Sequence, residues 1–167
     1  MSNPLVIIAR QAIRDHIAGR DPFRQPDGAA NPPQGCFVSL KIRDRLRGCM
    51  GTMTATQPTL EREVAENALA AAMRDPRFKP VRMEELDRIR ISIDLLTPLE
   101  RVDSPEQLDP ARYGVMVRSG KKKGLLLPDL PGVDSASRQI EICREKAGID
   151  PGEEVALERF EVLRIEE

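Results

Sequence analysis

The sequence has few aromatic residues. Its 167 residues include no tryptophan, one tyrosine and four phenylalanines. The core must therefore consist mainly of Ile, Leu, Val, Ala and Met, and a protein that stacks nucleic-acid bases on aromatic side chains is not indicated. An excess of one charge is also absent, because 26 Lys and Arg residues oppose 27 Asp and Glu residues. The chain as a whole therefore has no attraction to nucleic acid or to an anionic membrane surface.

Long apolar runs and metal-binding spacings are absent too. No run approaches the roughly 18 apolar residues of a membrane span, and residues 1–19 lack the pattern of a signal peptide. Three cysteines, Cys36, Cys49 and Cys143, and the single His16 show no ligand spacing of a metal site, so none is predicted. We expect reduced thiols and a cytoplasmic protein.

Apolar periodicity predicts three helices. The first runs from Pro4 to Ala18, the second starts near Pro58 and stops at Asp75-Pro76, and a short third is capped by Asp134 or Ser135. Residues 21–35 contain four prolines and predict a long loop.

Residues 36–52 alternate in polarity and predict a β-hairpin. A two-residue loop pairs Ile42 with Arg45, whereas a three-residue loop, 43–45, pairs Ile42 with Leu46. The longer loop gathers the apolar side chains on one face and is therefore favoured. It also pairs Leu40 with Gly48, which places Ser39, Lys41, Arg47 and Cys49 together on the polar face.

Further strands are predicted through Ile89–Leu95, on both sides of a turn at Ser119-Gly120, and in residues 153–167. The alternation of the last segment changes phase between Leu157 and Phe160, which indicates a bulge or bend. Helices separated by hairpins predict an α+β fold with a largely antiparallel sheet and flanking helices.

Cys49 is the first candidate for chemistry. It lies in LRGCMGT, residues 46–52, beside Gly48 and Gly51, whose missing side chains leave room for a ligand close to the backbone. Arg47 and Lys41 on the same face would stabilise a thiolate. The alternative is that Cys49 is a small apolar residue in a crowded place.

Two charged segments are further candidates. In DPRFKP, residues 75–80, Asp75 is expected to brace a turn, and Arg77 is suited to bind an anion in a bidentate manner. The alternative is that the segment only stops a helix. Lys121–Lys123, with the basic residues of the first hairpin, form a surface for phosphate contacts or simply a solvated hairpin tip.

Six motifs occur in an order that resembles the AMMECR-type domain family, known as protein A of the AmmeMemoRadiSam system. They are FVSL (37–40), LRGCMGT (46–52), ENALAAAMRDPRF (66–78), LLTP (95–98), YG (113–114) and GLLLP (124–128). The chain departs from the family pattern at Arg43-Asp44, where an Asp-Gly-like turn is expected, and at Asp129-Leu130, where a Gln-Val pair is expected.

The resemblance implies one domain over residues 1–167, with two lobes of unequal size and the smaller one built from the middle of the chain. It also implies association with Memo-like and radical SAM proteins, and it indicates no particular cofactor. The signature residues that match are Arg47, Gly48, Cys49, Gly51 and Thr52.

Two functions follow as hypotheses. In the first, the protein is an enzyme or enzyme subunit that modifies a nucleic acid or a small molecule, with Cys49 as the catalytic residue. Its expected substrate-binding residues are Ser39, Lys41, Arg47, Gly48, Gly51, Thr52, Asp75 and Arg77. In the second, the protein is a non-catalytic adaptor for a Memo-like or radical SAM protein, or for RNA or a nucleotide. This second hypothesis is motivated by the sequence, in which no general base for Cys49 is visible.

Overall fold

The computed structural model describes residues 3–24 and 30–167, so five residues of the predicted loop 21–35 lie outside the described residues. The elements are α1 (Pro4–Ile17), β1 (Cys36–Ile42), β2 (Arg45–Thr52), α2 (Leu60–Leu69), β3 (Arg90–Leu96), β4 (Glu100–Val102), β5 (Gly114–Ser119), β6 (Lys122–Leu126), α3 (Ala136–Ala147), β7 (Ala156–Phe160) and β8 (Val162–Glu166). A π-helical turn, Ala70–Arg74, follows α2, and short 3₁₀ turns occupy Met83–Arg88 and Pro105–Gln107.

The strands form two antiparallel four-stranded sheets, in the orders β2-β1-β3-β8 and β4-β7-β5-β6. The predicted α+β class is thereby confirmed. The chain divides into two compact units, one formed by Met1–Leu96 with Leu163–Glu167 and a smaller one formed by Thr97–Val162.

The core of the first unit lies between its sheet and its helices. Val38, Leu40 and Ile93 from the sheet are fully buried against Ala9 and Val64 from the helices. In the second unit, α3 covers the sheet, and Cys143 packs with Val115 and Val117. None of the described helices is long and apolar enough to cross a membrane.

The first hairpin closes through a two-residue turn, so the predicted three-residue loop is wrong. Arg43 and Asp44 both have positive φ, +49° and +62°, and Ile42 pairs with Arg45. Positive φ at both central positions is the requirement of a type I′ turn, whose twist matches that of the strands. The register then shifts by one residue at Arg47, and Leu40 pairs with Gly48 as predicted. A β-bulge thus restores the buried face that a short turn alone would have lost.

The change of phase in the last segment marks a break between two strands. β7 pairs with β5 and β4 in the second sheet, whereas β8 is the edge strand beside β3 in the first. Glu161, between the two strands, is the point where the chain changes sheets.

α2 begins after Thr59, whose hydroxyl accepts a hydrogen bond from the Arg62 N–H. Leu60, Val64 and Ala68 form the predicted buried stripe. The helix then widens into the π-helical turn and ends before Asp75, which is extended. Such turns are often found at functional sites, and this one delivers Asp75 to the edge of β2.

Candidate functional site

Cys49 lies in β2, the edge strand of the first sheet, opposite Ser39 of β1. The Ser39 hydroxyl donates a hydrogen bond to the Cys49 Sγ atom at 3.2 Å. Cys49 is half-buried, whereas Cys36 and Cys143 are fully buried. Burial raises the pKa of both of these buried thiols to about 11. Cys49 is therefore the cysteine that is open to a reagent or substrate.

Asp75 holds the backbone of Cys49 at the outer edge of β2. Its Oδ2 atom accepts a hydrogen bond from the Cys49 N–H at 3.0 Å. An edge strand otherwise leaves such N–H groups unpaired, so the carboxylate both satisfies the donor and covers the edge. The π-helical turn that precedes Asp75 sets this position.

Arg77 forms a bidentate ion pair with Asp75. Its Nε atom lies 3.0 Å from Oδ1 and its Nη2 atom 2.8 Å from Oδ2. The hydrogen bonds from Arg77 are the main cause that holds the pKa of Asp75 well below its ordinary value. Asp75 is 2% exposed at its side chain but Arg77 is 56% exposed, so the pair presents its positive end to solvent.

The pKa of Arg77 is raised, first by its hydrogen bond to Asp75 and in smaller part by the charge of a Cys49 thiolate. Asp75 links the two residues, because the same carboxylate accepts the Cys49 N–H and binds the Arg77 guanidinium. The structure thus brings together four predicted site residues, Ser39, Cys49, Asp75 and Arg77, which we name the Cys49 cluster.

Arg47 has a different role in the structure from the one anticipated. Its Nε and Nη2 atoms lie 2.9 and 3.1 Å from the carboxylate oxygens of Glu85, and its Nη1 atom lies 2.9 Å from the Lys79 carbonyl oxygen. Its side chain is only 17% exposed. These contacts make Arg47 a brace that holds the chain from Lys79 to Glu85 beside β2.

Gly48 and Gly51 have packing reasons of their own. A Cβ atom on Gly48 would lie 2.1 Å from the Ala71 carbonyl oxygen, and one on Gly51 would lie 2.4 Å from the Phe37 ring. The sequence analysis expected room for a ligand beside these glycines, but the structure places a helix backbone beside Gly48 and an aromatic ring beside Gly51. Contact of either glycine with a substrate stays a prediction.

Thr52 belongs to a buried polar network. Its Oγ1 atom donates to Glu63 at 2.5 Å and accepts from the Asn67 Nδ2 atom at 3.0 Å. Asn67 also donates to the Cys36 carbonyl oxygen at 3.1 Å. The sequence analysis missed Glu63 and Asn67, although both polar residues recur at positions of the buried stripe of α2, a pattern that marks a buried polar network.

The remaining candidates lie apart from the cluster. Lys41 is exposed and pairs in register with Arg90 of β3, on the same face as Ser39 but one step further along β1. His16 is exposed in the last turn of α1. Within residues 3–24 and 30–167, no group of three or more His, Cys, Asp and Glu side chains is arranged to hold a metal ion.

Comparison with known proteins agrees with the pattern of motifs. A family model described as AMMECR1 matches residues 6–165. The chain belongs to the AMMECR1 family. A Thermotoga maritima protein is 48% identical over 132 residues, which cover 78% of this chain and 76% of that protein. The Clostridium acetobutylicum protein CA_C1420 is 39% identical over 99% of this chain, which spans only 36% of that relative.

The AMMECR1 fold is also seen in a solved structure. The crystal structure of the uncharacterised protein PH0010 from Pyrococcus horikoshii superposes with a TM-score of 0.84 at 28% identity. The match covers 96% of this AMMECR1-family chain and 88% of that one. The fold that positions the Cys49 cluster is therefore shared with PH0010.

Proposed function

We propose that this AMMECR1-family protein is an enzyme, or a subunit of one, whose substrate site is centred on Cys49. The observation that supports the proposal is the Cys49 cluster, in which a half-buried thiol accepts a hydrogen bond from Ser39 and the Cys49 N–H is bound by Asp75, the ion-pair partner of the exposed Arg77. Hydrogen bonds and nearby cations stabilise a thiolate, which is the nucleophilic form of cysteine.

In this proposal the substrate carries an anionic group. Arg77 uses its Nε and Nη2 atoms to bind Asp75, while its side chain is 56% exposed and its Nη1 atom has no hydrogen bond among the described residues. A carboxylate or phosphate can bind to this remaining donor. Cys49 loses its proton to solvent, the thiolate sulfur forms a bond to an electrophilic carbon of the bound substrate, and the leaving group departs with the electron pair of the broken bond. Arg47 supports this site from behind through Glu85.

The first test compares two alkylating reagents that differ in charge. Native protein is treated with neutral iodoacetamide or anionic iodoacetate, and each cysteine is followed by peptide mass spectrometry. We expect Cys49 to react well before Cys36 and Cys143. In Arg77→Gln, the rate with iodoacetate should fall about fivefold relative to iodoacetamide, because about 1 kcal/mol of charge attraction is lost.

Arg138→Gln is the matched control. Arg138 is also a half-exposed arginine in an ion pair, with Glu141, and this pair is far from Cys49 in the sequence. It should leave both Cys49 rates unchanged. Equal labelling of all three cysteines in the folded protein would contradict an open Cys49, and an unchanged reagent preference in Arg77→Gln would contradict the anion site. Intact-mass detection of a metabolite adduct that is absent from Cys49→Ser would then identify the substrate class.

The second candidate function is the adaptor, which would dock a Memo-like or radical SAM protein, or RNA. The exposed cations at the first hairpin favour it, since Lys41, Arg43 and Arg45 surround the turn and form no ion pair within the described residues. Lys41→Ala with Arg45→Ala should weaken such binding and reduce its salt dependence, whereas Cys49→Ala should preserve it. An affinity that is unchanged in the double variant would count against the adaptor.

A further inference from the structure

A separate cavity of about 500 Å³ lies between α1, the N-terminal half of α2 and the segment 20–24. We name it the helix cavity. It shares no lining residue with the Cys49 cluster. Its volume falls in the range of about 300 to 1,000 Å³ in which proteins bind small molecules.

The floor of the helix cavity is apolar. Ala12 of α1 and Ala65 of α2 are almost fully buried beneath it, and Ile8 and Phe23 pack against them. Ile7 is 55% exposed at the lining, an unusual exposure for a large aliphatic side chain in a folded protein. An apolar ligand body placed there would bury these surfaces.

The acidic groups of the cavity already have donors. Asp15 accepts hydrogen bonds from Gln11 at 2.8 Å and from Arg20 at 2.7 Å. Glu61 accepts from the backbone N–H of Asn31 at 3.1 Å and from the side-chain amide of Asn31 at 2.5 Å. The third acid, Asp21, accepts the backbone N–H of Phe23 at 3.0 Å. The carboxylates therefore do not require a cationic ligand.

The side chains of Arg62 and Arg24, by contrast, have no hydrogen-bonding partner among the described residues. The Arg62 guanidinium carbon lies 3.4 Å above the centre of the Phe23 ring, so that its flat face is covered and its N–H edges remain open. Within the part of the chain that the structure describes, the guanidinium groups of Arg62 and Arg24 have neither a hydrogen-bonded acceptor nor an ion-pair partner, and the only acceptor of Arg62 is that of its backbone N–H, the Thr59 hydroxyl. The three acids and three arginines of the described lining balance in charge, so what the cavity offers beside its apolar floor is two guanidinium groups that have no acceptor among the described residues.

We propose that the helix cavity binds a small molecule with an apolar body and a single anionic head group. The body lies on the alanine floor against Ile8 and Phe23, and the head accepts hydrogen bonds from Arg62. A guanidinium already stacked on an aromatic ring is ordered in advance, which lowers the entropic cost of binding. This site is independent of the function proposed for Cys49.

The test uses anilinonaphthalene sulfonate, a fluorescent probe with an aromatic body and one anionic head. We expect one saturable site per folded chain, displaced by decanoate but at least about tenfold less well by decanol, which lacks the charge. Arg62→Met should weaken probe binding about tenfold while it keeps the packing of the side-chain stem.

Arg74→Met is the matched control, because Arg74 follows α2, is half-exposed and lies outside the cavity lining. It should leave probe binding unchanged, and circular dichroism establishes that each variant is folded. Arg24→Met provides a second variant that does not touch the Phe23 stack. Equal displacement by decanol and decanoate, or unchanged binding in Arg62→Met, would overturn the proposal, whereas an added loss in Arg24→Met would extend the head-group contact to that arginine.

Discussion

Two carboxylates hold the LRGCMGT strand, Asp75 at its middle and Glu63 at its last residue, and their surroundings differ. Asp75 accepts the Cys49 N–H and is paired with Arg77, whose side chain reaches solvent. Glu63 is completely buried, has no ion pair within the described residues, and accepts four hydrogen bonds, from Thr52, Thr56 (two) and Gln57. The Asp75 position is therefore suited to meet a ligand, whereas Glu63 is suited to hold the end of the strand and its following loop in place.

The largest effect should come from Glu63→Ala. This change leaves two backbone N–H groups and two hydroxyls without their buried acceptor, and we expect the free energy of unfolding to fall by about 3 kcal/mol. Urea denaturation followed by circular dichroism measures the loss. Glu63→Gln, which keeps part of the acceptor capacity, should lose less, and an equal loss in both variants would show that the charge rather than the hydrogen bonding is needed.

Asp75→Ala should destabilise the protein less, by about 1 to 2 kcal/mol. The Cys49 N–H lies at a strand edge that water can reach after the change, so the donor is not left unsatisfied in a dry interior. The same denaturation experiment gives the value. If the free energy of unfolding fell more in Asp75→Ala than in Glu63→Ala, Asp75 rather than Glu63 would be the main structural support of the strand.

Low pH should destabilise the protein through protonation of Asp75. Its pKa is lower in the folded protein than the ordinary value of 3.8, so its contribution to stability is complete above about pH 4 and is lost as the pH falls through the folded pKa. Asp75→Asn should therefore flatten the decline in stability below pH 4, measured by urea denaturation at a series of pH values. A decline as steep as in the unchanged protein would assign acid sensitivity to other carboxylates.

The smallest effect should be on the reactivity of Cys49. Asp75→Asn removes a negative charge beside the thiol and frees Arg77, so alkylation of Cys49 by iodoacetate should accelerate about two- to fivefold. Glu63→Gln should leave this rate unchanged. If Asp75→Asn and Glu63→Gln change the alkylation rate of Cys49 by the same factor, the two carboxylates do not differ in their effect on the thiol.

Local patterns were sufficient for much of the fold. The 3.6-residue periodicity predicted α1 and the buried stripe of α2, and alternation predicted the first hairpin and the Leu40–Gly48 pair, since burial of one face constrains both. The two-residue turn was missed because the apolar pattern can be kept either by a longer loop or by a bulge, and the sequence contains no signal that separates them.

The same limit applies to the site. The sequence singled out Cys49, Asp75 and Arg77, but only as separate motifs about 25 residues apart in the chain. It suggested that Arg47 would face a substrate, whereas Arg47 is bound to Glu85, a partner distant in sequence. Both arginines bind a carboxylate that is mostly shielded from solvent, and nothing in a local pattern predicts that the Arg47 side chain is only 17% exposed whereas that of Arg77 is 56% exposed.

The sequence by itself determined the α+β class, the three α-helices, most of the strands and the family to which the chain belongs, but not the short strand β4 or the division of the last segment into β7 and β8. These properties depend on periodicity and on local motif order, which the chain carries along its length. Only the tertiary structure decided that a π-helical turn brings Asp75 to the Cys49 N–H, that Glu161 divides the last segment between two sheets, and that α1 and α2 enclose the helix cavity. Each of these depends on contacts between distant segments, whose energies are set by packing and hydrogen bonding in three dimensions.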